Sequence, residues 1–72
     1  MKNETLIRNF IQGENNQKNQ SLTNQNNKLY SYNLLIADRD KREIYKTNYS
    51  KTTTTHINKL IYWATGYDII SR

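Results

Sequence analysis

The sequence predicts an α+β domain with the element order α-β-β-β-α, in which a three-stranded antiparallel meander packs on one C-terminal helix. Apolar and polar residues alternate along residues 29–37, as is typical of a strand. Apolar residues recur at helical spacing along residues 57–64, as is typical of a helix that buries one face. The length of 72 residues and the hydrophobic fraction of 35% predict a single small domain over residues 1–72 with a thin core. A deep catalytic cleft is therefore not expected.

The first predicted element is a short amphipathic helix over residues 3–12. Asn3 is its candidate N-cap, and Gly13 suits its end. Its apolar stripe consists of Leu6, Ile7, Phe10 and Ile11. Because so short a helix is marginal in isolation, this stripe must pack on the rest of the chain.

Residues 14–28 form a polar segment in which Leu22 is the only large apolar residue. Burial of Leu22 stabilises the segment by only about 2 kcal/mol, whereas ordering each backbone residue costs about 1–2 kcal/mol. The segment is expected to be ordered only as a short strand over residues 20–23 that turns through residues 24–27. Asparagine tolerates positive φ, which suits that turn.

Two stronger strands are predicted over residues 29–37 and 43–49, joined by a charged turn. The alternation in the first strand places Tyr32 on the buried face together with the apolar residues. In the second strand, Ile44 and Tyr45 favour opposite faces as the buried one, so both orientations remain open.

The last predicted helix covers residues 53–65. Threonine and serine before it supply N-cap oxygens, and Gly66 is suited to the left-handed conformation that ends many helices. The tail that follows, residues 67–70, fits a short edge strand.

The chain carries more basic than acidic residues, 11 against 6, for a formal charge of +5. From Ile44 to Tyr67 there are three lysines and no acid. This surplus favours nucleic acid or an acidic protein surface as partner; the alternative is that it only keeps a small protein in solution. Cysteine is absent and there is one histidine, so neither a metal site nor a cofactor is expected. No apolar run is long enough to cross a membrane.

The start of the last helix is a candidate anion site, because a helix N-terminus presents unpaired N–H groups and a positive dipole. Ordinary capping by serine and threonine is the alternative. The candidate phosphate contacts in and near this site are Lys46, Lys51, Thr52, Thr53 and Lys59.

The charged turn supplies a second, lower-ranked set of candidate nucleic-acid contacts, Arg39, Lys41 and Arg42. Cations at a hairpin tip can grip phosphates. Asp38 and Asp40 lie beside them, so a solvated tip with compensated charge is the alternative.

His56 is a candidate general base, since its ordinary pKa lies near 6.5. No carboxylate lies at helical spacing to orient it, so a structural histidine on the flank of the apolar stripe is the favoured interpretation. Three aromatic residues, Tyr62, Trp63 and Tyr67, are candidate anchors for a protein partner.

Several short motifs are spaced along about residues 20–60: Leu29-Tyr30-Ser31-Tyr32, Ile36-Ala37, Ile44-Tyr45, and Tyr49-Ser50-Lys51-Thr52-Thr53 with His56. In this order of L-x-S-Y, I-A and Y-S-x-T-T-x-x-H, the chain resembles a family of small uncharacterised phage and plasmid proteins. The resemblance implies a mobile-element origin and an effector or nucleic-acid accessory role, and it supplies no catalytic residue. The four-threonine run departs from the family's usual T-T-S-K and removes a lysine before His56, which weakens a phosphate site there.

These observations lead us to expect a small basic, non-enzymatic binding module of phage type in the cytoplasm of a host cell. Its expected partner is nucleic acid or a host complex that handles nucleic acid. The first alternative is an anti-CRISPR-like inhibitor of a host defence, replication or transcription machine. The second is a small ribonuclease toxin that uses His56.

Overall fold

The computed structural model describes residues 1–71, in which two helices pack on one face of a six-stranded mixed sheet. The elements are α1 (Asn3–Ile11), β1 (Gln17–Lys18), β2 (Leu22–Gln25), β3 (Lys28–Ser31), β4 (Leu34–Asp38), β5 (Glu43–Lys46), α2 (Lys51–Trp63) and β6 (Asp68–Ser71). The strands lie in sequence order. Neighbours are antiparallel from β1 to β5, and β6 pairs with β5 in parallel after the crossover through α2. The class is α+β, but the predicted three-stranded meander is wrong.

The largest error concerns residues 29–37, which form two strands instead of one. A two-residue turn at Tyr32 and Asn33 separates β3 from β4, and Tyr32 adopts a φ of 57°. Ser31 pairs with Leu34, so the turn shifts the alternation of faces by one residue. Tyr32 consequently leaves the predicted core and is 47% exposed.

Hydrogen bonds from amide side chains order the polar segment. Asn24 Nδ2 donates to the Glu14 carbonyl at 2.8 Å, and Asn19 Oδ1 accepts from the Leu22 N–H at 2.8 Å. Asn26 and Asn27 form the β2–β3 turn with φ values of 54° and 62°, as a two-residue hairpin requires. Leu22 is buried, but these amide contacts give the segment two strands where one short strand was expected.

The core lies between the helices and the inner face of the sheet. Its buried members include Leu6, Ile7 and Phe10 of α1, Ile57 and Leu60 of α2, and Leu22, Leu29, Ile36, Ala37 and Ile44 of the sheet. Ile44 pairs with Ala37 and so faces the helices, which decides the orientation of β5. By alternation, Tyr45 lies on the opposite, outer face, and it is also buried, with 3% exposure.

Both helices begin slightly differently from expectation. Lys2, not Asn3, occupies the N-cap position of α1, and it makes no side-chain cap. Ser50 caps α2 by accepting the Thr53 N–H, so this helix begins at Lys51 and ends at Trp63. Gly66 follows with a φ of 91°. The tail forms β6 at the edge of the sheet.

The two helices run in the same direction, so their N-termini lie at the same end of the sheet. Asn3 contacts His56, Glu4 contacts Lys59, and the Arg8 guanidinium lies over the Trp63 ring. These three contacts follow one another in the same order, from the N-terminal to the C-terminal end, along both helices. The positive dipole ends of α1 and α2 therefore lie side by side.

Candidate nucleic-acid interface

We call the end of the molecule where both helices begin the cationic end. It holds the β1–β2 loop, the β3–β4 turn and the β5–α2 loop, because neighbouring strands from β1 to β5 are antiparallel. Four exposed lysines are found there: Lys2, Lys18, Lys46 and Lys51.

The acidic residues are concentrated at the opposite end. Five of the six acids in the chain lie there: Glu14, Asp38, Asp40, Glu43 and Asp68. The sixth, Glu4, lies on α1 and pairs with Lys59 at 3.4 Å. Within residues 1–71 this is the only ion pair, so the four lysines of the cationic end are not neutralised. We call this opposite end the acidic end. It also carries four cations, Lys28, Arg39, Lys41 and Arg42, so its charges nearly cancel, and the positive excess of the molecule lies at the cationic end.

The β5–α2 loop and the first turn of α2 offer donors to an anion. Ser50 Oγ accepts the Thr53 N–H at 3.1 Å, which leaves the N–H groups of Lys51 and Thr52 without an intrahelical partner. The side chains of Lys51 and Thr52 are exposed. A surface depression of about 480 Å³ lies beside them, lined by Asn48, Ser50, Lys51, Thr54 and Thr55. This arrangement can hold a phosphate through one ammonium and two backbone donors.

Thr53 is not available to such an anion. Its side chain is fully buried, and its Oγ1 lies 2.9 Å from Ser31 Oγ and 3.1 Å from Ser50 Oγ. Helical periodicity explains this position, because Thr53 shares the inward face with Ile57 and Leu60. The hydroxyl expected to contact phosphate instead joins α2 to β3.

His56 belongs to the same buried polar network. Asn3 Oδ1 accepts from Asn19 Nδ2 at 2.6 Å, which orients the Asn3 amide so that its Nδ2 donates to His56 Nε2 at 3.1 Å. His56 Nδ1 therefore carries the proton and donates to Ser31 Oγ at 3.0 Å. Burial, and secondarily the charge of Lys59, lower the pKa of His56 below its ordinary value.

The contact of Ser31 with His56 has the composition of a nucleophile and its base, but it does not face solvent. Ser31 is 0% exposed and His56 is 1% exposed. A substrate has no access to either side chain without unfolding of the surrounding layer. The network is therefore built to position the starts of the two helices.

The lower-ranked cations of the charged turn lie at the acidic end, away from Lys46 and Lys51. Arg39 is half-buried and structural, since its guanidinium donates to the carbonyl oxygens of Phe10 and Glu14. Lys41 and Arg42 are exposed. The structure thus divides the predicted set between two ends and removes Lys59, through its ion pair with Glu4, from the free cations.

The aromatic residues expected to anchor a protein partner lie near the C-terminal end of α2. Tyr62 is 77% exposed and meets Trp63 edge-on at 6.0 Å between ring centroids. Trp63 is half-buried, with the Arg8 guanidinium 5.2 Å from its ring. Tyr67 is half-buried, and burial raises the pKa of its hydroxyl.

Sequence reasoning missed Lys2, Lys18 and Tyr32 as members of the cationic end. They are far apart in sequence from Lys46 and Lys51, and only the sheet pairing brings them to the same end. A local signal was Asn33, since asparagine is disfavoured in strands and favoured in tight turns.

Within residues 1–71, no group of three or more His, Cys, Asp and Glu side chains is arranged to hold a metal ion. None of the helices in that range has the length and hydrophobicity needed to cross a bilayer. No curated protein and no solved structure shows significant similarity to the chain. The sequence model of a family of unknown function, DUF8033, matches residues 4–69, which include all of α1 except its first residue, the first five strands and α2. The chain therefore belongs to the DUF8033 family of unknown function.

Proposed function

We propose that this protein is a small non-enzymatic module that binds the phosphate backbone of nucleic acid with its cationic end. The excess of unpaired lysines at the cationic end is the observation that supports this proposal most strongly. Lys46 and Lys51 are exposed without a carboxylate partner, and Glu4 of α1 is already paired with Lys59. Two helix N-termini add their positive dipoles to the same surface.

Binding follows from this geometry in two steps. The field of the unpaired lysines attracts the polyanion, and the displaced counterions supply most of the free energy. Lys46, Lys51 and the N–H groups at the start of α2 then fix individual phosphates, with the exposed Thr52 hydroxyl as a further donor. Such contacts position the protein but carry no sequence information.

The buried polar network holds the helix starts that form the interface in position. The bond from Asn3 to His56 holds the start of α1 beside α2, and the contact of Thr53 with Ser31 holds α2 on the sheet. The burial of Ser31 and His56 supports a non-enzymatic role and argues against a ribonuclease that uses His56. The resemblance to phage and plasmid proteins supports a role in a mobile element within the host cytoplasm.

We predict that affinity for a fluorescein-labelled oligonucleotide falls steeply as salt increases. In a fluorescence-anisotropy series, Lys51→Gln should reduce the slope of log K against log salt by about 0.7–0.9, as expected for one lost phosphate contact. The control variant Lys28→Gln removes the same charge at the acidic end, where Lys28 of β3 lies opposite Asp38 of β4 in the register of the sheet. This control should leave the slope within about 0.3 of the unmodified protein. Absent binding at low salt, or equal losses in both variants, would contradict the proposal.

A protein-binding inhibitor is the second candidate, and the exposure of Tyr62 favours it. Exposed aromatic residues beside a half-buried tryptophan are common at the centres of protein interfaces. In this case the protein should retain a host partner in a pull-down from nuclease-treated lysate, and Tyr62→Ala should lose it. If nuclease treatment abolishes retention, the nucleic-acid proposal is favoured instead.

A further inference from the structure

The β3–β4 turn exposes an aromatic ring at the cationic end. Tyr32 takes the first position of this two-residue turn at a φ of 57°, a conformation that asparagine and glycine adopt far more readily. Its side chain is 47% exposed, and its N–H donates to the Ser21 carbonyl at 2.7 Å, which fixes the turn against the β1–β2 loop. A backbone hydrogen bond therefore joins the turn to the neighbouring loop, and the ring is open to solvent.

Two surface depressions meet at this turn. The first, of about 250 Å³, includes Lys18, Ser21, Thr23, Tyr32 and Asn33 in its lining. The second, of about 230 Å³, is lined by Thr23, Gln25, Tyr30 and Asn33. Because both include Thr23 and Asn33, they form one furrow from the cationic end onto the outer face of β2 and β3. We call this surface the tyrosine furrow.

The lining of the tyrosine furrow has a distinct chemistry. It consists of two phenol rings, amides, hydroxyls and the Lys18 ammonium, and no carboxylate lines either depression. The side chains of Asn33 and Gln25 make no hydrogen bond within residues 1–71, so their amides remain open to a ligand. Amide groups of this kind can hydrogen-bond base edges, and tyrosine rings provide a face on which a base can stack.

We propose that the tyrosine furrow holds unpaired bases, so that the nucleic acid bound by this protein is single-stranded. The inference rests on the proposed phosphate binding at the cationic end and adds a substrate class to it. A base stacks on Tyr32, the Asn33 amide meets its edge, and Lys18 contacts the neighbouring phosphate. In a duplex the faces of the bases are buried against each other, so an exposed ring beside cations favours a single strand.

The test compares a labelled 12-nucleotide oligo-dT with a 12-base-pair duplex by fluorescence anisotropy at one fixed low salt concentration. The unmodified protein should bind the single strand more tightly. Tyr32→Asn should weaken single-strand binding about tenfold, as expected for one lost stacking contact, and should leave duplex binding within about twofold. Tyr32→Phe keeps the ring and should bind within about twofold of the unmodified protein.

Folding does not confound this comparison. Asparagine adopts positive φ more readily than tyrosine, so the melting temperature of Tyr32→Asn should equal or exceed that of the unmodified protein. A preference for the duplex, or an unchanged single-strand affinity of Tyr32→Asn, would contradict base binding in the tyrosine furrow. If binding still depends on salt in that case, the phosphate proposal stands. Failure of the unmodified protein to bind either oligonucleotide overturns both.

Discussion

Replacement of Arg39 by alanine is expected to lower the free energy of unfolding by about 3 kcal/mol. The guanidinium donates to the carbonyl oxygens of Phe10 and Glu14 and to the side-chain oxygen of Asn27. It also lies over the Phe10 ring, 5.1 Å from its centroid. Arg39 thus joins the end of α1 to two turns of the sheet.

The size of the effect follows from the charged contacts that alanine removes. Each acceptor keeps one other donor: the Gly13 N–H for Phe10, Asn24 Nδ2 for Glu14 and Asn15 Nδ2 for Asn27. The loss is therefore that of hydrogen bonds to a charged group, about 1.5–3 kcal/mol, together with the contact over the Phe10 ring and a favourable interaction of the cation with the C-terminal end of the α1 dipole. In a domain of this size, the midpoint temperature of thermal unfolding should decrease by about 15 °C.

The matched control is Arg42→Ala in the same turn. Arg42 is exposed, and within residues 1–71 its guanidinium makes no hydrogen bond or ion pair, so this change should alter the free energy of unfolding by less than about 0.5 kcal/mol. Calorimetry or circular dichroism melts measure both variants. If Arg39→Ala melts as the unmodified protein does but loses oligonucleotide affinity, the turn is a phosphate contact, as the sequence alone suggested, and the structural role is wrong.

The helices could be predicted from sequence because their signals are local. The predicted ranges 3–12 and 53–65 compare with Asn3–Ile11 and Lys51–Trp63. Apolar residues at helical spacing indicate which face of each helix is buried, and this signal does not depend on distant parts of the chain. The small difference at α2 arises because Ser50 caps the helix before the first threonine can do so.

The sheet could not be predicted in full because the turn that divides residues 29–37 has an unusual residue at its first position. No glycine marks the turn at Tyr32 and Asn33, and tyrosine at positive φ runs against its own preference. The strands of the polar segment depend on contacts such as Asn15 with Asn27, twelve residues apart. Amide hydrogen bonds of this kind have no periodicity in sequence, so composition alone predicts disorder there.

The candidate site was only partly predictable for the same reason. Lys46, Lys51 and Thr52 were found because they surround one helix start, whereas Lys2 and Lys18 join them through the tertiary fold. Four residues of the motifs in the sequence, Ser31, Ser50, Thr53 and His56, meet in the buried polar network. Their spacing therefore has a structural explanation, since each must find a buried hydrogen-bond partner.

The free energy of unfolding is expected to decrease as the pH falls from about 7.5 to about 5.5. Burial, with a smaller contribution from Lys59, lowers the pKa of His56 in the folded protein below the ordinary value of 6.5. The unfolded chain therefore takes up a proton at higher pH than the folded protein does. The stability contributed by neutral His56 is fully present above 6.5 and is lost progressively as the pH falls from there toward the folded pKa.

Geometry explains why protonation is unfavourable at this position. A charged His56 would present a second N–H to Asn3 Nδ2, which is itself a donor held in place by the bond from Asn19 to Asn3 Oδ1. His56 is the only histidine in the chain, and carboxyl groups titrate mainly near pH 4. His56 is thus the only side chain whose ordinary pKa lies inside the window from pH 5.5 to 7.5, in which urea denaturation measures the free energy of unfolding.

Two variants separate the contributions. His56→Leu should lose about 2 kcal/mol at pH 7.5, because Asn3 Nδ2 loses its acceptor, and should show no pH dependence in this window. Lys59→Gln removes the smaller electrostatic contribution, so the pH dependence should weaken but persist, since burial is the larger cause. An unchanged pH dependence in His56→Leu would show that another group titrates in this range and that the buried network is not the acid-sensitive part of the fold.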